Sequence, residues 1–278
     1  MKEPAANGPA AETPAAVVSY VQQDAVVQIT LERPDALNAF NRALRVQLAA
    51  ALQRASADPT VRAVALTAAG RAFSAGADLK AMQAEAATGS SPGAVVRRQL
   101  EQEYFPGIQA IIDSPKPVIA AVEGLVAGIG GAYVLACDLV VMAEDADFVL
   151  PFHNIGLVPD GGLTWLLERQ VGARRAFELA VECSRVSAAR CHELGLANRV
   201  VAKGTAVEAA LAWARALAQR PTVAIAQTKR LLRGAPALGF AQALRAEIDA
   251  QTACIDSQDF REGVSAFLEK RAPRFSGR

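Results

Sequence analysis

The stretch VIAAVEGLVAGIGGAYVLACDLVVM, Val118 to Met142, constrains the fold more than any other part of the chain. It is apolar enough to demand burial, yet Glu123, a run of glycines and Asp138 break it, so it is no clean membrane span. It reads as a buried strand in PVIAAVEG, a glycine-rich turn, the helix GAYVLACD and a pair of short strands in LVVMAEDADFVLP around the polar break at Glu144 to Asp147. A strand apolar along its whole length needs cover on both faces, and in an α/β fold helices supply it.

The flanking sequence offers those helices. AVVQITLERP (Ala25 to Pro34) is β-branched and ends at a proline, so it predicts a strand. NRALRVQLAAALQRAS predicts a helix by its spacing and its alanine, leucine and arginine content. VRAVALTAA is a strand stopped by Gly70, and a long helix covers Ala94 to Ile112 and ends before Pro115. Beyond Gly161 the segments 162–170, 173–181, 187–194, 205–219, 222–233 and 236–253 all read as helices. A last amphipathic helix, REGVSAFLEKR, sets Val264, Phe267 and Leu268 on one face. Strands alternating with helices over the first two thirds predict the α/β class with crossover connections.

With hydrophobic residues at 52% and charged residues at 21% of 278, the chain can bury a large core. A net charge of +1 leaves no basic face for nucleic acid, so the expected partner is a small molecule. Cys137, Cys183, Cys191 and Cys254 have no zinc spacing, and with only His153 and His192 beside them no metal site is expected. Residues 1–16, rich in alanine and proline, read as a disordered tail without the features of a signal peptide. The expected location is the cytoplasm, with no membrane contact.

Two stretches share one design. FSAGADLKAM and GLVAGIGGAYVLA each lead from a strand through small residues into a helix. Small residues let a ligand approach bare backbone, and a helix start offers unpaired amides and the positive end of its dipole. A nucleotide loop is excluded by spacing: the third glycine position is Tyr133, and no G-K-[ST] occurs. Helix-on-strand packing would explain one such loop. Two favour a pair of donors, the amides of Ala77 and Ile129, converging on one oxygen.

These residues, with ITLERPDALNAFN near the start and REGVSAFLEKRAPRF at the end, resemble the crotonase (enoyl-CoA hydratase/isomerase) superfamily from about Val17 to the C-terminus. The resemblance implies a spiral of β-β-α turns over residues 17–200, then a helical trimerisation region over 201–278. It implies an acyl-CoA thioester as substrate, no cofactor, and a homotrimer or hexamer. Carried over, the Ala77 and Ile129 amides hold the thioester carbonyl. The loop at Ala75, Ala77, Asp78 and Leu79 lies against the CoA, and Tyr133 and Phe152 line the acyl site.

Hydratases of the family use two glutamates to position water, and here Ala132 and Phe152 stand at those positions. Asp160, in IGLVPDGGLTW, stands where the hydratases carry glycine and isomerase members carry Asp. GLVPDGGLTWLL in particular resembles the branch that isomerises the ring-1,2-epoxide of phenylacetyl-CoA. Hydration needs an activated water, whereas isomerisation needs one base to move a proton between two carbons. Read from the residues alone, Asp160 is an N-cap for GGLTWLLERQ. Read with the resemblance, it is the base of an acyl-CoA isomerase, its proton affinity raised by a wall of Tyr133, Phe152 and Trp165. An enoyl-CoA hydratase and a non-catalytic acyl-CoA-binding subunit are the alternatives. Strand alternation turns His153 away from the site, His192 is a surface residue, Glu123 orders a loop, and a loop at Met82 to Pro92 shapes the pocket.

Overall fold

The computed structural model describes residues 16–86 and 91–278. The predicted N-terminal tail falls almost wholly outside them, as does the middle of the predicted Met82–Pro92 loop. Ten strands are present among the described residues: β1 (Val18–Gln23), β2 (Val26–Leu31), β3 (Ala63–Ala68), β4 (Ala72–Ser74), β5 (Val118–Val122), β6 (Leu125–Ala127), β7 (Leu139–Ala143), β8 (Asp147–Val149), β9 (Val186–Ser187) and β10 (Arg199–Val201). The helices are α1 (Arg42–Ala57), α2 (Leu79–Ala86), α3 (Pro92–Gln99), α4 (Phe105–Asp113), α5 (Ile129–Ala136), α6 (Leu163–Val171), α7 (Ala173–Glu182), α8 (Ala188–Glu193), α9 (Ala206–Ala218), α10 (Thr222–Gly234), α11 (Phe240–Ile255) and α12 (Gln258–Leu268).

The strands form two sheets, one ordered β1-β2-β3-β5-β7-β10 and the other β4-β6-β8-β9. Successive strands are dealt alternately to the two: β3 to the large sheet and β4 to the small, then β5 and β6, then β7 and β8. Helical segments separate each pair from the next, which makes the spiral of β-β-α turns expected from the motifs. Within each sheet these strands run parallel. The antiparallel exceptions are the β1–β2 hairpin and the β8–β9 pair.

β5 is buried at every position, as its unbroken apolar run requires. On the large sheet, α9 presents Ala206, Ala210, Ala214 and Ala218, one residue every four, all buried. Alanine at that spacing makes a flat stripe on one helix face and lets the helix lie close on the strands. α1 buries Leu44, Leu48, Leu52 and Ala55, and Asn41 caps it by accepting the Leu44 amide at 3.0 Å.

Several expectations need correction. The hairpin strand β1 and the short strands β4, β6, β9 and β10 were not foreseen; the last two interrupt what reads as an all-helical final third. The single helix over 94–112 is α3 and α4 joined by a π-helical turn, Leu100–Tyr104. Met82 lies inside α2, not in a loop. His153 and its neighbours form a 3-10 turn and not a strand, so the alternation argument does not apply, and His153 is simply exposed. Glu123 does order a loop, accepting the amides of Gly204 at 3.0 Å and Ala206 at 2.8 Å. No described helix is long and apolar enough to cross a membrane.

Candidate active site

The parallel pairing of β4 with β6 places Ser74 opposite Val126. Each strand then runs on through a glycine, and Ala77 and Ile129 each lie three residues beyond that pair. The two loops stay in contact: a Cβ built on Gly76 would lie 3.2 Å from the Ala127 carbonyl oxygen and 3.7 Å from the Gly128 Cα. Gly76 at φ +96° and Gly128 at φ +52° occupy the region that glycine tolerates best. Around them the amides are committed. Ala75 N donates to Leu37 O, Gly76 N to Ser74 Oγ, Asp78 N to Phe40 O and Gly128 N to Val149 O. Ala77 N and Ile129 N donate to no acceptor among the described residues, and Ile129 is the first residue of α5. Two neighbouring amides are thus left over where the positive end of a helix dipole emerges.

The first loop is held from below. Leu37 and Asn38 are both left-handed, and the buried Asn38 amide group donates to Ala69 O and Ala72 O at 2.8 and 2.9 Å. Asp78 accepts Ala81 N at 3.1 Å and pairs with Arg33 at 3.1 Å. Burial pushes its carboxyl up, but the amides and the Arg33 guanidinium outweigh that and hold it below the usual carboxylate range. Asp78 therefore fastens the loop to α2. Ala77 and Leu79 are exposed beside it, open to a ligand, and Ala75 is half-buried.

The opposite wall comes from the segment after β8. Gly161, at φ +62°, packs so closely that a Cβ there would lie 2.4 Å from Ile129 Cδ1, 2.9 Å from Ala132 Cβ and 3.1 Å from Ile108 Cδ1. Asp160 directly precedes this glycine, which packs on the side chain of the residue whose amide is unpaired. Asp160 is not a cap: the N-cap of α6 is Gly162, and no side chain accepts there. The positive-φ pair Gly161 and Gly162 moves the helix start away from the carboxylate. Its Oδ1 is buried and meets no donor among the described residues. Burial pushes its pKa up to about 6, against an opposing contribution from its own backbone amide.

Sequence comparison bears on this geometry directly. Residues 21–278 match the model of the enoyl-CoA hydratase/isomerase family. The chain belongs to that family. It is 40% identical over 262 residues to the 1,2-epoxyphenylacetyl-CoA isomerase of Escherichia coli K12, covering 94% of this chain and 98% of the relative. It is 34% identical to the 2,3-dehydroadipyl-CoA hydratase of the same organism, covering 92% and 97%. An enoyl-CoA hydratase structure from Polaromonas sp. JS666 superposes with a TM-score of 0.87 at 36% identity, covering 93% of this chain and 99% of that one.

Within this enoyl-CoA hydratase/isomerase fold a cavity of about 840 Å³ opens beside Gly161 and Gly162. Its walls include Tyr104, Ile108, Trp165, Leu166 and Arg233. Trp165 lines it as the sequence suggested. Phe152 is 9% exposed and sits 3.8 Å from the Cβ position of Gly128, beside the second loop. Tyr133 needs correction: it is 0% exposed, stacked on Phe40 at 4.9 Å between ring centroids, and forms no part of the cavity wall. All eight residues of α5 are buried, so period alone could not say which face the cavity touches. Tyr104, Ile108 and Arg233 went unrecognised because nothing in their local sequence marks them. A larger cavity, about 1120 Å³, lies between α10, α11 and α12, away from the two loops.

Proposed function

We propose that the protein is an acyl-CoA isomerase in which the Ala77 and Ile129 amides hold the thioester oxygen and Asp160 is the only base. Asp160 takes a proton from the carbon next to the thioester of a 3-enoyl-CoA, and the electron pair moves onto the carbonyl oxygen as an enolate. Two amide donors aimed at that oxygen are worth most where charge develops, roughly 2.7–4 kcal/mol for one such donor. The same carboxyl then returns the proton two carbons further on, leaving the 2-enoyl-CoA. A carboxyl near 6 suits both steps. At neutral pH roughly nine in ten are ionised, yet the group binds a proton about a hundredfold better than an ordinary aspartate.

The observation that carries this reading is Asp160 itself: a carboxylate whose Oδ1 is buried with no donor among the described residues, one residue from the glycine packed on Ile129. A buried charge left without a structural partner costs stability and is retained for chemistry. Ala132 is fully buried behind Gly161, and neither it nor Phe152 offers a second carboxylate to activate water. The name of the Escherichia coli isomerase relative supports the ring epoxide of phenylacetyl-CoA as a further candidate substrate. The test is incubation with crotonyl-CoA, a 3-enoyl-CoA and that ring epoxide, following product spectra. Isomerisation of either of the last two, with little hydration of crotonyl-CoA, is expected. Dominant hydration of crotonyl-CoA would favour the hydratase reading instead, and inertness toward all three a binding subunit.

A further inference from the structure

Arg233 lines the same cavity as Gly161, the glycine packed on the Ile129 side chain. Helix α5 connects these points: Ile129 opens it, and its last carbonyls, Ala136 O and Cys137 O, accept from Arg233 Nη2 at 2.6 and 3.5 Å. From residue 129 to residue 137 the helix rises about 12 Å. Gly161, packed on the Ile129 side chain, and Arg233 line the same cavity, so it extends from the glycine beside the first residue of the helix to the arginine at its other end.

The guanidinium is only partly used. Nη2 also reaches Asp138 Oδ1 at 3.2 Å, but Nε and Nη1 donate to nothing among the described residues. Its neighbour Lys229 is spent, its ammonium donating to Ile111 O, Lys116 O and Asp138 Oδ2. Asp138 is occupied as well, since it faces both cations and accepts the Val118 amide at 2.9 Å. Among the described residues lining the cavity Arg233 is the one cation, and Glu101 is the one carboxylate. The Glu101 side chain is 61% exposed and turned toward Arg97 at 3.4 Å, so it does not neutralise the far end. The rest of the wall there, Ile108, Ile112, Trp165 and Leu166, is apolar and suits a methylene chain.

We infer that the far end of the cavity is a carboxylate subsite anchored by Arg233, and that the enzyme takes acyl-CoA esters whose acyl group ends in a carboxylate. An extended chain advances roughly 1.25 Å per bond, given a carbon–carbon length of about 1.5 Å, so a medium-length dicarboxylic acyl group spans the cavity. The unspent N–H groups supply a charge-assisted hydrogen bond to it. The inference rests on the proposed thioester site for the position of the near end, and it favours an open-chain 3-enoyl substrate.

The test is binding, which does not depend on turnover. Octanedioyl-CoA and octanoyl-CoA have the same number of acyl carbons and differ in the terminal group, and calorimetric titration gives their affinity ratio. The wild-type protein should favour octanedioyl-CoA by roughly ten- to a hundredfold, the usual worth of one hydrogen bond to a charged group. In Arg233→Gln the ratio should fall to about one, and Arg233→Lys should keep part of it, with melting curves checking that both fold. A wild-type ratio at or below one overturns the inference, as does an unchanged ratio in a folded Arg233→Gln. The expected ratio without turnover of any 3-enoyl-CoA leaves the carboxylate subsite standing and removes the isomerase reading. Failure of both esters to bind removes both.

Discussion

Replacing Asp160 by Asn separates catalysis from stability, because the two should move in opposite directions. Burial raises this carboxyl from 3.8 to about 6, and one unit corresponds to about 1.36 kcal/mol. Ionised Asp160 therefore costs the folded state about 3 kcal/mol. The sign follows from proton binding. Between the two values the folded state holds the proton and the unfolded state does not, so stability falls as pH rises through this window and the full cost is present above about 6. Asn carries no charge but buries a polar amide in the same partnerless place, which returns roughly 1–3 kcal/mol of that gain. The expected net effect is stabilisation of up to roughly 2 kcal/mol at pH 8. Below the ordinary carboxylate range both proteins are neutral there, and the advantage should vanish. Turnover of a 3-enoyl-CoA should fall on the order of 10² to 10⁴, the usual worth of a positioned acid–base group. Urea unfolding at pH 8 and pH 3, beside initial rates, reads all three. An Asn variant that is less stable at pH 8, or one with normal turnover, would refute the reasoning.

The remaining expectations are simpler. Ala77→Pro removes an amide hydrogen and should abolish turnover, while Ala77→Gly keeps the donor and should retain substantial activity; an active, folded proline variant by circular dichroism would take Ala77 out of the mechanism. Gly161→Ala combines a left-handed φ with a Cβ 2.9 Å from that of Ala132, so it should lower both the melting temperature and kcat, and unaltered kinetics would show that Asp160 tolerates displacement. On α11 and α12, Phe240 is 85% exposed, Phe267 83% and Leu268 74%, more apolar surface than a monomer keeps in water. We propose a trimer, or two trimers paired, and light scattering at micromolar concentration should find it; a monomer there would contradict the proposal.

Much of this molecule was legible in the chain because short-range chemistry decides it. The apolar run of β5, the leucines of α1 and the alanines of α9 each carry their own period, and period follows from backbone geometry alone. The two glycine loops were legible for the same reason: a strand, small residues and a helix start occur in immediate succession. What local sequence could not carry were elements with too few residues to show a period. β9 has two and β10 three, and each exists because a neighbouring strand offers its hydrogen bonds. Tyr133 shows a second limit, since a helix buried all round has no polar face to reveal which side meets a ligand. Asp160 shows a third. As sequence it is a good N-cap, and only the left-handed turn through Gly161 and Gly162, with Gly161 pressed against Ile129 and Ala132, moves the helix away and leaves Oδ1 buried without a donor among the described residues. Arg233 is the extreme case: it meets the end of α5 across almost a hundred residues of chain, and no local pattern records a contact that only packing creates.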